Sequence, residues 1–194
     1  MPVGEHGDSS PDQRTKILEA AISLLQREGA SALTVRNIAK GAECSTTGVY
    51  TYFGGKDGLV EAIFIDGFVS FDMAIAAADS LDRAGRAYRD WAIANPTHYL
   101  VMFGAAVPTY SPSMEALTVA SRAFNRLVEL VLDAGPAAMS EEAARADAYH
   151  AWAAMHGYVM LELVGMAPPG LPSASILFDE GLERSMRSVG DLLR

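Results

Sequence analysis

The stretch TVRNIAKGAECSTTGVYTYFGGK, residues 34–56, is the most informative part of this sequence. It predicts two short helices, residues 35–42 and 46–52, separated by the three residues 43–45. So short a connection makes the two helices cross at a wide angle, which is the spacing of a helix-turn-helix. The second helix is then expected to stand out from the protein surface.

The side chains of this stretch suit a helix that reads DNA. Ile38, Ala39, Val49 and Phe53 can pack inside and hold the second helix in place. A helix fits the major groove, where hydroxyl groups reach phosphates and bases and a threonine methyl group can meet thymine. The predicted DNA contacts are Thr34, Arg36, Ser45, Thr46, Thr47, Gly48, Tyr50, Thr51 and Lys56.

The rest of the chain also has a helical pattern and shows no convincing strand alternation. Ser10 followed by Pro11 predicts a capped helix start, and Ser140 predicts another. We expect an all-α fold of about nine helices. Residues 10–55 would form a three-helix helix-turn-helix domain, and residues 56–194 a helical-bundle domain for ligand binding and dimerisation.

The net charge of −9 at first argues against DNA as a partner, but the charge is unevenly distributed. Residues 10–56 hold six Lys and Arg against four Asp and Glu, a balance of +2. Residues 57–194 hold nine Arg against 18 Asp and Glu, a balance of −9. A mildly basic head on an acidic body is consistent with DNA contact through one end.

Composition predicts a soluble cytoplasmic protein. Half of the residues are hydrophobic, which allows a sizeable core. The polar residues 1–10 do not resemble a signal peptide, and the longest apolar run, residues 99–108, is too short to span a membrane. Cys44 is the one cysteine and has no partner for an internal disulfide.

Residues 17–59 resemble the N-terminal domain of the TetR/AcrR family of regulators. That family's pattern reads approximately T-x-x-x-I-A-x-x-A-G-V-S-x-x-x-x-Y-x-x-F-x-x-K-x-x-L, and this chain follows it without a gap. The matching residues are Ile17, Ala20, Ala21, Leu25, Gly29, Thr34, Ile38, Ala39, Ala42, Ser45, Tyr50, Phe53, Lys56 and Leu59.

Three features depart from the family pattern. Glu43 replaces the usual turn glycine, so a non-glycine residue stands where a positive φ is often needed. Cys44 replaces the usual valine, and Thr47-Gly48 replaces the common Gly-Thr order. Gly48 lies inside a helix at a cost of about 1 kcal/mol relative to alanine, and permits either close helix packing or close approach to DNA.

The resemblance implies a homodimer that binds a palindromic operator in double-stranded DNA and responds to a small-molecule effector, more often as a repressor than as an activator. The large apolar or amphipathic residues favour an apolar effector. For any single one of these residues packing in the core is the commoner role, but as a set they are candidates to line a pocket: Phe64, Phe68, Tyr88, Trp91, Tyr99, Met102, Phe103, Phe124, Trp152 and His156. Dimer candidates, on helical stripes that could equally face the chain's own core, are Tyr149, Val159, Leu163, Leu182, Met186, Val189 and Leu193.

The sequence gives less support to two other classes of protein. An enzyme lacks support because the sequence shows no G-x-S-x-G, phosphate-loop motif or paired metal-binding histidines, and no cofactor or metal is predicted. A small-molecule binding protein without a DNA function would leave the helix-turn-helix motif of residues 34–56 unexplained.

Overall fold

The computed structural model describes residues 11–104, 106–166 and 168–191. Within these ranges the regular structure is nine α-helices and one short 3₁₀ helix, Ala30–Ala32, which confirms the predicted all-α fold. The α-helices are α1 (Pro11–Glu28), α2 (Val35–Gly41), α3 (Thr46–Phe53), α4 (Lys56–Ala76), α5 (Leu81–Ala94), α6 (Pro96–Met102), α7 (Met114–Ala134), α8 (Glu141–Leu163) and α9 (Ala174–Asp191).

Hydroxyl side chains define four of the helix starts. Thr34, Ser45, Ser80 and Ser140 each accept a hydrogen bond from the backbone amide three residues later, at 3.2, 3.1, 3.4 and 3.1 Å. Each cap satisfies an amide that has no partner inside its helix and stabilises the helix by about 1 kcal/mol. The predicted cap Ser10 lies outside the described residues.

The first compact unit contains the described residues up to Asp66 together with Thr97–Ser113. In it α1 contacts α2, α2 contacts α3, and the first half of α4 completes the core. The side chains at its centre have at most 1% of their surface exposed. They are Ile17, Ala21, Leu33, Ile38, Val49, Leu59, Val60, Ile63 and Tyr99.

The second compact unit contains Gly67–Pro96 and the described residues from Met114 onward. In it α8 contacts α5, α7 and α9, so α8 is the central helix. Two half-buried ion pairs join its helices: Arg89 of α5 donates to Glu162 of α8 at 2.9 Å, and Arg126 of α7 donates to Asp72 of α4 at 2.9 Å.

The two compact units are groups of residues that contact one another, and they carry no information on which residues bind DNA or an effector. The domain boundary predicted at residue 55 is therefore still a prediction. No helix among the described residues combines the length and apolar character needed to cross a membrane.

Gly58, in the first turn of α4, permits a close contact that any side chain would block. A Cβ atom placed on Gly58 would lie 1.9 Å from the carbonyl oxygen of Phe53, the last residue of α3. Because the obstacle is backbone, it cannot move aside as a flexible side chain would. Only a residue without a side chain at position 58 therefore allows α4 to begin this close to the carbonyl group of Phe53.

We predict that Gly58→Ala lowers the free energy of unfolding by about 1–3 kcal/mol or more, because the added methyl group overlaps backbone atoms. Chemical denaturation of both proteins measures this difference. Gly48→Ala is the matched control, since a Cβ on Gly48 would be 3.7 Å from its nearest neighbours. Equal denaturation midpoints for the wild type and Gly58→Ala would contradict the prediction.

Candidate nucleic-acid interface

The chain enters α2 through two side-chain hydrogen bonds. The Thr34 hydroxyl oxygen accepts from the amide of Asn37 at 3.2 Å, and the Asn37 side-chain amide donates to the carbonyl of Ala32 at 2.9 Å. Within α2, the side chains of Ile38 and Ala39 are buried. These contacts hold α2 as a fixed support for the turn that follows.

The turn between α2 and α3 ends α2 with a Schellman motif. The amide of Cys44 donates to the carbonyl of Ala39 at 2.9 Å, and the amide of Glu43 donates to that of Lys40 at 3.4 Å. Glu43 has a φ of 53°, and no other non-glycine residue in the described ranges has a positive φ. The left-handed conformation expected at this position is present, without the glycine that usually adopts it.

Cys44 occupies the turn as a small, half-buried side chain. Burial raises the pKa of its thiol, so the side chain is neutral at pH 7. Cysteine thus behaves here as a small apolar residue, in place of the family's valine.

The inner side of α3 fixes this helix against the first unit. Val49 and Phe53 are buried, and the guanidinium of Arg14 from α1 lies 4.9 Å from the centre of the Phe53 ring. At the start of the helix, the Ser45 hydroxyl caps the amide of Gly48. Packing and capping together leave the opposite side of α3 facing outward.

The outer face of α3 consists of Thr46, Thr47, Tyr50 and Thr51, all of which are exposed. Tyr50 has 57% of its surface exposed, a high value for a large aromatic residue. The Thr51 hydroxyl donates to the carbonyl of Thr47 at 2.9 Å. This face offers hydroxyl oxygens, methyl groups and one aromatic ring to a partner.

Gly48 is half-buried beside this face. A Cβ placed on it would lie 3.7 Å from the Cys44 sulfur and the Ser45 hydroxyl oxygen, which are ordinary contacts. Packing within the chain therefore does not require glycine here, and close approach to DNA stays a prediction.

The flanking residues add positive charge. Arg36 is exposed on α2, the capping residue Thr34 is exposed just before that helix, and Lys56 is half-buried at the start of α4. Lys40, which was not among the predicted contacts, is also exposed. Each of the predicted DNA contacts is thus open to solvent at least in part, and their contact with DNA stays a prediction.

Four of the predicted pocket residues lie in the first unit. Phe64, Tyr99 and Met102 are buried and Phe103 is half-buried. The Tyr99 and Phe103 rings are 4.7 Å apart, and the Phe64 ring is 5.8 Å from that of Tyr110.

Tyr110 is a further residue of this group that was not among the predicted site residues. Its hydroxyl is buried and makes no hydrogen bond with the described residues. Burial, and then the negative charge of Glu61, raise the pKa of Tyr110 to about 12. Nothing in the local sequence indicates that this hydroxyl would be enclosed.

The other predicted pocket residues form two aromatic groups in the second unit. In the first, the Tyr88 and Trp91 rings meet the Phe71 ring edge-on at 5.1 and 5.2 Å. The Trp91 indole donates to the Ser70 hydroxyl at 2.9 Å, and Phe68 is also buried. Phe71 and Ser70 were not among the predicted site residues.

The second aromatic group joins α7 and α8. The Trp152 ring lies 5.8 Å from Phe124 and 5.9 Å from Tyr149. His156, one turn further along α8, is half-buried, and burial lowers the pKa of its imidazole. The group is mainly apolar, with a neutral histidine beside it at pH 7.

Two of the predicted dimer contacts are wrong. Val159 and Leu182 have 0% and 4% of their surface exposed, because both side chains pack within the second unit. The Leu182 side chain fills the space above Gly85, where an added Cβ would lie 2.6 Å away. The two helical stripes to which they belong, one on α8 and one on α9, therefore reach the chain's own core.

The remaining dimer candidates differ in their placement. Tyr149 is exposed and Leu163 is half-buried. The side chains of Met186 and Val189 are not among those described, and Leu193 lies outside the described residues.

A different row of residues on α8 faces solvent, and we call it the α8 outer row. Its spacing of four, three, four and four residues places all members on one side of the helix. Most members are small or apolar, and Leu161 is 53% exposed. The row is formed by Ala146, His150, Ala153, Gly157 and Leu161.

Two short helices joined by a tight turn, with the second helix exposed on one side, define the helix-turn-helix class of proteins. Residues 17–63 match the family model for bacterial regulatory proteins of the tetR family. Residues 81–185 match the model for the tetracyclin repressor-like C-terminal domain. The chain belongs to the tetR family of bacterial regulatory proteins.

Individual proteins show the same relationship. The chain is 28% identical over 137 residues to the HTH-type transcriptional regulator Rv1816 from Mycobacterium tuberculosis, an alignment covering 62% of this chain and 56% of that protein. The chain thus aligns with little more than half the length of this relative.

Solved structures share the fold over nearly the whole chain. The regulatory protein SCO4313 is 25% identical with a TM-score of 0.80, over 89% of this chain and 94% of that one. A protein of unknown function from Rhodococcus sp. RHA1 is 22% identical with a TM-score of 0.74, over 97% of this chain and 99% of that one. The similarity to the Rhodococcus protein shows a shared fold and nothing more.

We predict that Glu43→Gly stabilises the protein, because a left-handed conformation disfavours a non-glycine residue by about 1–2 kcal/mol. The greater freedom of glycine in the unfolded chain offsets about 0.4–1 kcal/mol of this gain. Glu43→Ala is the control, since it removes the carboxylate but keeps the Cβ atom. Thermal unfolding should rank Glu43→Gly above Glu43→Ala, and the reverse order would contradict strain at this turn.

Proposed function

We propose that this chain is a transcriptional repressor that binds a palindromic DNA operator as a homodimer and leaves it when a small, largely apolar effector binds. The observation that carries this proposal is the exposed outer face of α3, opposite the buried Val49 and Phe53. A helix presented in this way fits the major groove and can contact base edges. We assign DNA binding to residues 10–55 and effector binding and dimerisation to residues 56–194.

The charge distribution supports contact through the first unit. The net charge is +2 over residues 10–56 and −9 over residues 57–194. DNA phosphates therefore repel the acidic part of the chain. Few cations face the DNA, so few counterions are released on binding. The affinity of the complex should therefore depend only modestly on salt.

The α8 outer row supports a homodimer. Small side chains at Ala146, Ala153 and Gly157 allow a second helix to approach closely, and Leu161 supplies apolar area. A two-fold axis at this surface would pair the row with its own copy, as a symmetric dimer requires. The two α3 helices would then meet half-sites about 34 Å or a multiple of that apart.

The aromatic groups of the second unit support an apolar effector. Tyr88, Trp91, Phe124 and Trp152 offer large apolar surfaces, and His156 is neutral at pH 7 because burial lowers its pKa. An effector that binds better to one spacing of the two α3 helices shifts the dimer toward that spacing. Release from the operator follows when the favoured spacing differs from that of the half-sites.

We predict that the full chain selects a palindrome from a random pool of duplexes, with half-sites one helical turn or a multiple apart, about 34 Å for one turn. Tyr50→Ala should remove binding to the selected duplex while the protein stays folded and dimeric. Met73→Ala truncates another strongly exposed side chain, in the second unit, and should leave the affinity unchanged.

Two results would contradict this function. A folded, effector-free protein that enriches no sequence does not read DNA and would instead be a small-molecule binding module. Unchanged affinity in Tyr50→Ala would place the reading surface away from α3.

We predict that Gly157→Arg converts the dimer into monomers, because it adds a long charged side chain to the centre of the α8 outer row. Sedimentation velocity at several protein concentrations measures the change. Ser121→Arg adds the same charge to an exposed position of α7 and should remain dimeric. A dimer in both variants would show that α8 does not pair through this row.

A further inference from the structure

The chemistry of α3 limits how it can recognise bases. Its eight residues, TTGVYTYF, include no Arg, Lys, Asn, Gln, Asp or Glu. The strongest base contacts in the major groove are bidentate, from arginine or lysine to guanine and from asparagine or glutamine to adenine. No side chain of α3 can make such a contact.

One hydroxyl group of α3 is already engaged in a hydrogen bond within the helix. Thr51 donates its hydroxyl proton to the carbonyl of Thr47 at 2.9 Å, within the helix. The Thr51 side chain is exposed, so its γ-methyl group and the lone pairs of its oxygen are what a partner can contact. In the major groove, the natural counterpart of an exposed methyl group is the C5-methyl group of thymine.

Gly48 supplies room beside Thr51. It lies three residues before Thr51 and so neighbours it on the helix surface. The chain's own packing leaves space for a Cβ on Gly48, with the nearest atoms at 3.7 Å. The missing side chain therefore leaves a shallow gap on the surface of α3 beside Cys44 and Ser45, one turn before Thr51, suited to a group as small as a methyl.

We propose that Thr51 is a specificity-determining residue that recognises a thymine in each operator half-site through its C5-methyl group, received beside Gly48. This inference rests on the proposed DNA-binding function and specifies how the operator is read. Burial of one methyl-sized group corresponds to about a fourfold change in affinity. Because each half-site contributes once, symmetric loss of both methyl groups should weaken binding by about fifteenfold.

The experiment replaces thymine by deoxyuridine, which lacks the C5-methyl group and pairs in the same way. Each thymine of the selected operator is replaced in turn, symmetrically in both half-sites, and the affinity of the full chain is measured. We expect one position per half-site at which the affinity falls by about tenfold to twentyfold. A change of less than twofold at every position would overturn the proposal.

Two variants assign the effect to Thr51. Thr51→Ser keeps the hydroxyl but lacks the methyl group, and should bind the thymine and deoxyuridine duplexes equally at that position. Thr51→Val keeps the methyl group and should retain the preference for thymine. Retention of the full preference by Thr51→Ser would overturn the assignment.

Thr118→Ser is the matched control. Thr118 is exposed on α7 and donates to the carbonyl of Met114 at 2.8 Å, the same internal bond that Thr51 makes. Its loss of a methyl group should leave the thymine preference unchanged. Failure to select any operator would count against the proposed function itself, whereas a selected operator insensitive to deoxyuridine would count against this inference alone.

Discussion

The turn between α2 and α3 is the constraint on which the candidate interface depends. Two backbone hydrogen bonds, from Cys44 to Ala39 and from Glu43 to Lys40, end α2 and set the direction in which α3 begins. They form only if Glu43 adopts a positive φ, an unfavourable conformation for a residue with a Cβ atom. The surrounding packing, with Val49 and Phe53 buried beneath α3, supplies the stabilisation that holds this turn in place.

Local signals in the sequence predict the helices well. Capping residues such as Thr34 and Ser140, and prolines at the starts of α1 and α6, act within one turn of the chain, so their effects can be recognised without knowing the fold. The outer face of α3 could also be predicted from the sequence, because burial of Val49 and Phe53 determines which side of the helix remains exposed.

Contacts between distant parts of the chain could not be predicted in the same way. On α8 the large residues suggested an apolar stripe through Val159, yet the buried face of that helix is formed mainly by small residues, including Ala144, Ala148 and Ala151. Alanines carry a weak hydrophobic signal, so the pattern does not show which side is buried. The need for glycine at position 58 depends on where the Phe53 carbonyl lies, and the enclosure of the Tyr110 hydroxyl depends on other segments.

In the proposed complex α3 lies against DNA. Amide hydrogen exchange of the full chain, with and without its selected duplex, tests this contact because it reports protection along the backbone. We expect slower exchange on DNA binding across residues 34–56, strongest in α3, with little change in α7. Unchanged exchange in α3 with protection elsewhere would contradict it.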